Sequence, residues 1–400
     1  MFFSWFRPKL HEARLGQSRG EITVAIRCDP IILHHARADW RANRTGAKTC
    51  DCRHFRASSW AGDVRGAARS QCRKGGKEDR MSAKQRIVAI EEHFWIPELR
   101  DRYSGPRGIS AHTPARQLDD LGEVRLKEMD AAGIEMQVIS HMQPGTQMFD
   151  AETAIALARK ANDVLYAATR THPTRFAGFA ELPTVDPQAA ADELERTVAQ
   201  YDFKGALING LTGGDFLDGK RFWCIFERAQ ALEVPIYLHP GIPHHAVTDA
   251  YYSHYRRGDF PFLSVAWGFT AETAIHAIRL IVSGVFDAFP RLKIILGHLG
   301  ETIPFTLWRC DWILDHVGGS RAFADAFRQH FYLTTSGNFQ ASALACCIAE
   351  LGIDRIMFAV DYPYNSSAEG VAFVRNAPIS EADKEKIFHG NADHLLRLGA

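Results

Sequence analysis

Ile294-Ile295-Leu296-Gly297-His298-Leu299-Gly300-Glu301 opens on three aliphatic residues and closes on a histidine and a glutamate. An unbroken aliphatic run suits a strand buried on both faces, as in a parallel sheet, so the polar residues that follow emerge where the strand ends. Three other stretches repeat the pattern: Val88-Ala89-Ile90-Glu91-Glu92-His93, Ile236-Tyr237-Leu238-His239-Pro240 and Met357-Phe358-Ala359-Val360-Asp361-Tyr362-Pro363. Four such ends converge only within one sheet or barrel. Glu91, His93, His239, His298 and Asp361 are then expected together at the rim where parallel barrels place their active sites.

Working outward, short β-branched or aromatic runs alternate with longer amphipathic ones from Ile87 onward, which predicts repeated βα units. Eight strands are expected: Ile87 to His93, Gln137 to Met142, Phe176 to Leu182, Gly205 to Gly210, Pro235 to Pro240, Lys293 to Gly300, Phe331 to Gly337 and Ile356 to Pro363. Helical patterns fill the intervals at Gly122 to Ala132, Ala151 to Thr171, Pro187 to Tyr201, Asp218 to Leu232, Ala271 to Phe289, Thr302 to His316 and Gln340 to Leu351. A last pattern, Ser380 to Leu398, is expected to close the ring. The fold class is α/β, a (β/α)8 barrel over residues 81–400. Gly133, Gly352 and Phe289-Pro290 stand where helices should stop, and Asp186-Pro187 where one should start. Two long irregular stretches, Tyr103 to Leu121 and Gly241 to about Gly268, would overhang the rim.

The net charge of zero conceals an asymmetry: residues 1–80 hold 17 Lys and Arg against 8 Asp and Glu, leaving 30 against 39 in the remainder. This basic extension, with Cys50-Asp51-Cys52 and His54, lacks the second ligand pair of a zinc module. Lys77-Glu78 can be encoded as AAGGAG, a ribosome-binding sequence just upstream of the Met81 codon. The expectation is therefore a natural start at Met81, with residues 1–80 disordered or outside the protein. No apolar run is read as a membrane span, and Met1-Phe2-Phe3-Ser4-Trp5-Phe6 is not a secretory signal, so a cytoplasmic protein is expected. Neither nucleic acid nor membrane is expected as a partner. Cys224, Cys310, Cys346 and Cys347 sit in apolar helical patterns and are expected as buried free thiols.

Glu91 and His93 stand two apart on a strand, so both side chains share one face while Glu92 points the other way. Asp361 ends an apolar run, and a buried carboxylate without a partner is very costly, so a cation or an arginine is expected beside it. His298 and Glu301 are three apart at a strand-to-helix junction, where the carboxylate can fix the imidazole tautomer for a general base or a proton relay. Arg309, two helical turns on, is a candidate carboxylate clamp.

Val88 to Phe94, Leu238-His239-Pro240, Trp267 to Ala274, Gly297 to Glu301, Thr334 to Phe339 and Asp361-Tyr362-Pro363 together resemble the amidohydrolase-superfamily nonoxidative decarboxylases, the γ-resorcylate and 2,3-dihydroxybenzoate decarboxylases among them. The resemblance covers about Gln85 to Leu398. It implies a TIM barrel of the amidohydrolase type, a homo-oligomer (dimer or tetramer), and a divalent metal, Mn2+ or Zn2+, bound by Glu91, His93, His239 and Asp361. His298 and Glu301 would lie beside the metal, with Arg309 at the family's arginine position. Glu91-x-His93 in place of His-x-His, and Asn209 where binuclear members carry a lysine, argue for one ion per chain. Tyr364 and the stretch after the first strand depart from the relatives, which leaves the ring substitution of the substrate open.

The implied reaction is loss of CO2 from an o-hydroxybenzoate. Direct loss would leave an aryl carbanion, so protonation of the ring carbon by Asp361 is expected first, with His298, tuned by Glu301, handling the phenolic proton. The alternative on the same scaffold is a hydrolase or hydratase using a metal-activated water.

Overall fold

The structure is a computed structural model and describes residues 85–103, 113–258, 260–317 and 323–399. The expectations for residues 1–80 and the start at Met81 lie outside the described residues, as does 104–112 of the stretch after the first strand.

The strands are β1 (Val88–Phe94), β2 (Met136–His141), β3 (Phe176–Gly178), β4 (Ala180–Glu181), β5 (Ala206–Asn209), β6 (Ile236–His239), β7 (Ile294–Leu296), β8 (Phe331–Thr334) and β9 (Ile356–Met357). All pairings are parallel and sequential, β1-β2-β3 in one sheet and β4 through β9 in another. β3 and β4 are two halves of the single strand expected over Phe176 to Leu182, parted only at Phe179, whose N–H donates to Ile139 O at 2.9 Å. The other edge closes too. Ile90 N–H donates to Phe358 O at 3.1 Å and His93 N–H to Tyr362 O at 2.7 Å, joining the last strand to the first. The result is the (β/α)8 TIM barrel.

Its two-sided burial accounts for the apolar runs. Val88, Ile90, Val138, Phe179, Leu207, Tyr237, Ile295, Tyr332, Met357 and Ala359 form the interior layer. The alternate residues, Ala89, Ile139, Ala206, Ile208, Leu238 and Leu296 among them, pack against the surrounding helices.

One helix follows each barrel strand: α1 (Glu123–Ala132), α2 (Ala151–Thr171), α3 (Pro187–Tyr201), α4 (Trp223–Leu232), α5 (Phe269–Val282), α6 (Ile303–His316), α7 (Ala341–Leu351) and α8 (Ser367–Asn376). Asp150 caps α2 by accepting from Thr153 N–H, and Asp186 caps α3 by accepting from Ala189 N–H with Pro187 in the first turn. Gly133 ends α1 in the left-handed conformation expected of a glycine stop (φ 80°).

Four expectations are corrected. The pattern from Ala271 to Phe289 is interrupted at Gly284 (φ 84°) and resumes as a short helix, Val285–Ala288, which stops just before Phe289-Pro290 as expected. Ser380 to Leu398 does not close the ring, because α8 occupies that place. Instead it forms short helices whose Ala392 and Leu396 pack into the interior layer, and Ile387 O accepts from Phe358 N–H at 2.8 Å. Ser264–Val282 does match a membrane span in length and apolarity, yet Ala274, Ala277, Leu280 and Ile281 on it are buried in the barrel's core. Of the four described cysteines, all free, only Cys347 is fully buried.

Candidate metal centre and active site

β1 delivers Glu91 and His93 through a bulge. The register with β2 shifts between Ile90 and Glu92, and Glu91 sits at φ 105°, a strained conformation for a residue with a Cβ. Asp361, just past β9, lies at φ 69°. After β7 the chain makes a left-handed turn in which His298, Leu299, Gly300, Glu301 and Thr302 all have φ between 51° and 78°. Four of these five carry a Cβ, and each costs roughly 1–2 kcal/mol in that region. The expected strand from Lys293 to Gly300 therefore stops at Leu296. This turn brings His298 Nδ1 to 2.7 Å from Glu301 Oε1, the pairing expected from their spacing.

Glu91, His93, His239 and Asp361 each present a ligand atom, all within 4.8 Å of one another. His239 Nε2 lies 3.3 Å from Glu91 Oε1, and His93 Nε2 lies 3.3 Å from Asp361 Oδ1. His298 Nε2 stands at the edge of the group, 3.7 Å from Glu91 Oε1 and 3.9 Å from Asp361 Oδ2. Bare glycines leave the room for this crowding. A Cβ on Gly297 would stand 2.8 Å from Glu91 Oε2, and one on Gly337 would stand 3.0 Å from His298 Cδ2.

The far side of each candidate ligand is held by residues that the sequence reading missed. His239 Nδ1–H donates to Pro240 O at 2.8 Å, which leaves Nε2 as a free lone pair. His93 Nδ1 pairs with Ser140 Oγ at 3.3 Å. Glu91 Oε2 accepts from Tyr237 Oη and from Thr334 Oγ1 at 3.2 Å, and Asp361 Oδ2 accepts from Asn365 Nδ2 at 3.2 Å. Tyr237 carried a signal, since it lies two residues before His239 on the same inward face.

Glu92 is the second omission. Its side chain leaves the group, as expected, but it is fully buried and accepts from Val360 N–H at 2.9 Å and Tyr362 N–H at 3.2 Å. Burial pushes this carboxyl up to about 8. Arg125, also fully buried, donates to His93 O and to Gln137 Oε1, with its guanidinium 4.6 Å from the Tyr362 ring centre. Both act where the ring closes.

The unsatisfied atoms test whether the group suits a cation. Glu91 Oε1 and His93 Nε2 are buried and have no hydrogen-bond partner. Burying such atoms without a partner is costly, so another group is expected to fill their coordination. Two carboxylates and two imidazoles, with Nε2 of each imidazole aimed inward, fit one divalent ion. Burial also holds His93 below the ordinary imidazole pKa, which favours the neutral form that binds metals. Burial opposes a charge on His298, but Glu301, Glu91 and Asp361 outweigh it and hold that imidazole well above its ordinary value.

Arg309 is not brought to this group. It is exposed on α6, with its guanidinium 5.3 Å from the Trp312 ring centre. Tyr364 is near, its ring 6.4 Å from that of His93.

A profile of the family described as Amidohydrolase matches residues 50–398. The chain belongs to the amidohydrolase family. The match reaches further toward the N terminus than the motifs read over Gln85 to Leu398. Among amidohydrolases, the γ-resorcylate decarboxylase of Polaromonas sp. (strain JS666) is 40% identical over 326 residues, 78% of this chain and 98% of that protein. The crystal structure of a dihydroxybenzoic acid decarboxylase from Polaromonas sp. JS666, with bound manganese and the inhibitor 2-nitroresorcinol, has a TM-score of 0.73 at 38% identity, covering 79% of this chain and 98% of its own. The 5-carboxyvanillate decarboxylase of Sphingomonas paucimobilis has a TM-score of 0.72 at 37% identity, covering 78% and 99%. The chain is thus a barrel of the amidohydrolase type whose Glu91, His93, His239 and Asp361 could hold a metal ion.

Proposed function

We propose that this amidohydrolase is a carboxy-lyase that removes CO2 nonoxidatively from an o-hydroxybenzoate. The observation that carries the reading is the buried group of Glu91, His93, His239 and Asp361, with the His298–Glu301 pair against it, in a chain 40% identical to γ-resorcylate decarboxylases. Glu91, His93, His239 and Asp361 would hold one divalent ion per chain. Their mixed O and N donors suit Mn2+ or Zn2+, and manganese is what the Polaromonas structure contains. The ion supplies Lewis acidity and a template for the substrate's carboxylate and neighbouring phenolate.

The chain's own residues move the protons. Burial alone would raise the Asp361 carboxyl, but His298 and His93 offset it and hold it below the usual carboxylate range. A proton that reaches it from the protonated His298, whose Nε2 lies 3.9 Å from Asp361 Oδ2, is therefore readily given up, and solvent replaces the one proton consumed with each CO2 released. Its transfer to the carboxyl-bearing ring carbon makes that carbon tetrahedral. The C–CO2 bond then breaks, its electron pair returns to the ring, and aromaticity is restored as CO2 leaves. His298, kept protonated by Glu301, exchanges the phenolic proton at Nε2 while Glu301 holds Nδ1.

An exposed row on α6 supports the homo-oligomer. Phe305, Trp308, Trp312 and Ile313 on this helix, with Val317 just beyond it, are all exposed, Phe305 to 86% and Trp308 to 73%. Spacings of three and four put Phe305, Trp308 and Trp312 on one face. A fully buried aromatic covers roughly 150–250 Å², so the row supplies a large part of the roughly 800 Å² per partner of a standard interface. Arg309 belongs to this surface.

The deciding experiment loads the chain with manganese and follows CO2 from a panel of hydroxybenzoates, alongside ester, lactone and muconate substrates. About one ion per chain and CO2 from at least one o-hydroxybenzoate are expected. Two tightly held ions, or turnover of the esters and lactones alone, would move the hydrolase reading to first place.

A further inference from the structure

Each buried polar atom without a hydrogen bond calls for an explanation. Among the described residues most such atoms fall into two clusters, apart from single atoms on Gln143, Glu272, Tyr362 and Ser367. One is the metal group. The other comprises both amide atoms of Gln147, both amide atoms of Asn209, and Oε2 of Glu181. None of these three residues is more than 2% exposed.

They close around one bare backbone position. A Cβ on Gly145 would stand against Gln147 Oε1, 2.6 Å from Glu181 Oε1 and 3.1 Å from Asn209 Nδ2. Glu181 is fixed there, because Oε1 accepts from Thr146 N–H at 2.7 Å and from Thr146 Oγ1 at 2.9 Å. Its other oxygen is left with nothing to bind. The barrel register places the cluster inside the mouth. Asn209 pairs with His239 on the neighbouring strand, so the two side chains emerge side by side, and Glu181 pairs with the interior residue Leu207. The cluster therefore lies one strand away from a candidate metal ligand, on the arc of the mouth that runs from β2 to β5.

Resting on the decarboxylase reading above, we propose that Gln147, Glu181 and Asn209 form a subsite for a second ring hydroxyl of the aromatic acid and so select its substitution pattern. A phenolic hydroxyl both donates and accepts, and the two amides offer both roles. The three groups carry no positive charge, so they suit a hydroxyl and disfavour a second carboxylate. Burial pushes the Glu181 carboxyl up to about 8, which keeps it a hydrogen-bond donor at neutral pH. A substrate lacking the hydroxyl would leave these groups unpaired, the situation that gives the strongest discrimination between analogues.

The test uses the full manganese-loaded chain and its Gln147→Met variant, an apolar replacement of similar shape that gives up no hydrogen bond seen in the structure. Salicylate is compared with the 2,3-, 2,4-, 2,5- and 2,6-dihydroxybenzoates in kcat/KM, and in binding by calorimetry. Wild type should prefer one dihydroxy isomer over salicylate by at least about 100-fold, and Gln147→Met should shrink that ratio to within about tenfold. Glu181→Gln, which retains an acceptor for Thr146, should preserve the fold while altering the ratio. A ratio that survives Gln147→Met overturns the subsite, as does a crystal soaked with the preferred isomer in which only water meets the Gln147 and Asn209 amides. Binding discrimination that collapses in the variant without any CO2 release would uphold the subsite and refute the decarboxylase reading. Absence of both binding and discrimination would refute the subsite directly.

Discussion

At the scale of single residues, Asp361 bears the heaviest assignment, since it is placed both among the metal ligands and as the proton donor. Asp361→Asn keeps an oxygen ligand but has no acidic proton. Partial metal retention with turnover reduced by about 10²–10⁴-fold is expected, the range for a lost general acid. Metal analysis beside steady-state CO2 release checks it, and near-normal turnover would remove Asp361 from the chemistry. Glu181 makes a separate, thermodynamic prediction. Its carboxyl stands at about 8 in the fold against an ordinary 4.5, because of burial. The folded chain thus keeps a proton that the unfolded chain releases. That contribution is complete below pH 4.5 and is lost as the pH rises through about 8. The melting temperature of Glu181→Gln should therefore fall less than that of wild type across this interval, and parallel curves would contradict the raised carboxyl.

Among the elements, the weakest seam is where the last strand meets the first. β9 spans only two residues, so few ladder bonds are available to hold the barrel shut. Glu92 adds two bonds to the backbone at Val360 and Tyr362, while Arg125 from α1 ties His93 O to Gln137. Removing one member of such a buried charged network typically costs about 3–5 kcal/mol. Arg125→Met should lower unfolding stability in urea by that order and weaken metal retention, because the same backbone positions Glu91 and His93. Arg125→Lys should not restore either, since an ammonium cannot span two acceptors in a fork. An Arg125→Met variant as stable as wild type would show that the seam is held elsewhere. The bulge at Glu91 belongs to this scale as well. Without it, Glu91 and Glu92 would exchange faces and one of their two tasks would be lost.

For the whole molecule, the exposed row on α6 makes a monomer costly in water. Equilibrium sedimentation should find a dimer or higher oligomer, and Phe305→Asp with Trp308→Asp should shift it to monomer without unfolding the barrel, whose core these side chains do not enter. A wild-type chain that sediments as a monomer would refute the surface. The same row carries Arg309, which within one chain faces outward rather than toward the metal group. Two helical turns from Glu301 is a true statement about α6, but the left-handed turn ahead of the helix sets which face looks inward.

The sequence alone determined the barrel, the order of its strands and the residues Glu91, His93, His239, His298, Glu301 and Asp361, because these follow from local periodicity. A run buried on both faces must end in the open, and a polar residue at that end has one place to go. The His298–Glu301 pair was within reach for the same reason, being three residues apart. What tertiary structure decided depends on partners distant in the chain. Glu92 finds Val360 across 268 positions and Tyr237 finds Glu91 across 146, and nothing local distinguishes them from any other strand residue. The cluster of Gln147, Glu181 and Asn209 is of this kind. Gln147 and Glu181 are ordinary polar residues in their own segments, and Asn209 is legible in the sequence only for the count of metal ions; closure of the ring alone strips all three of water together and leaves their hydrogen-bonding groups facing one another.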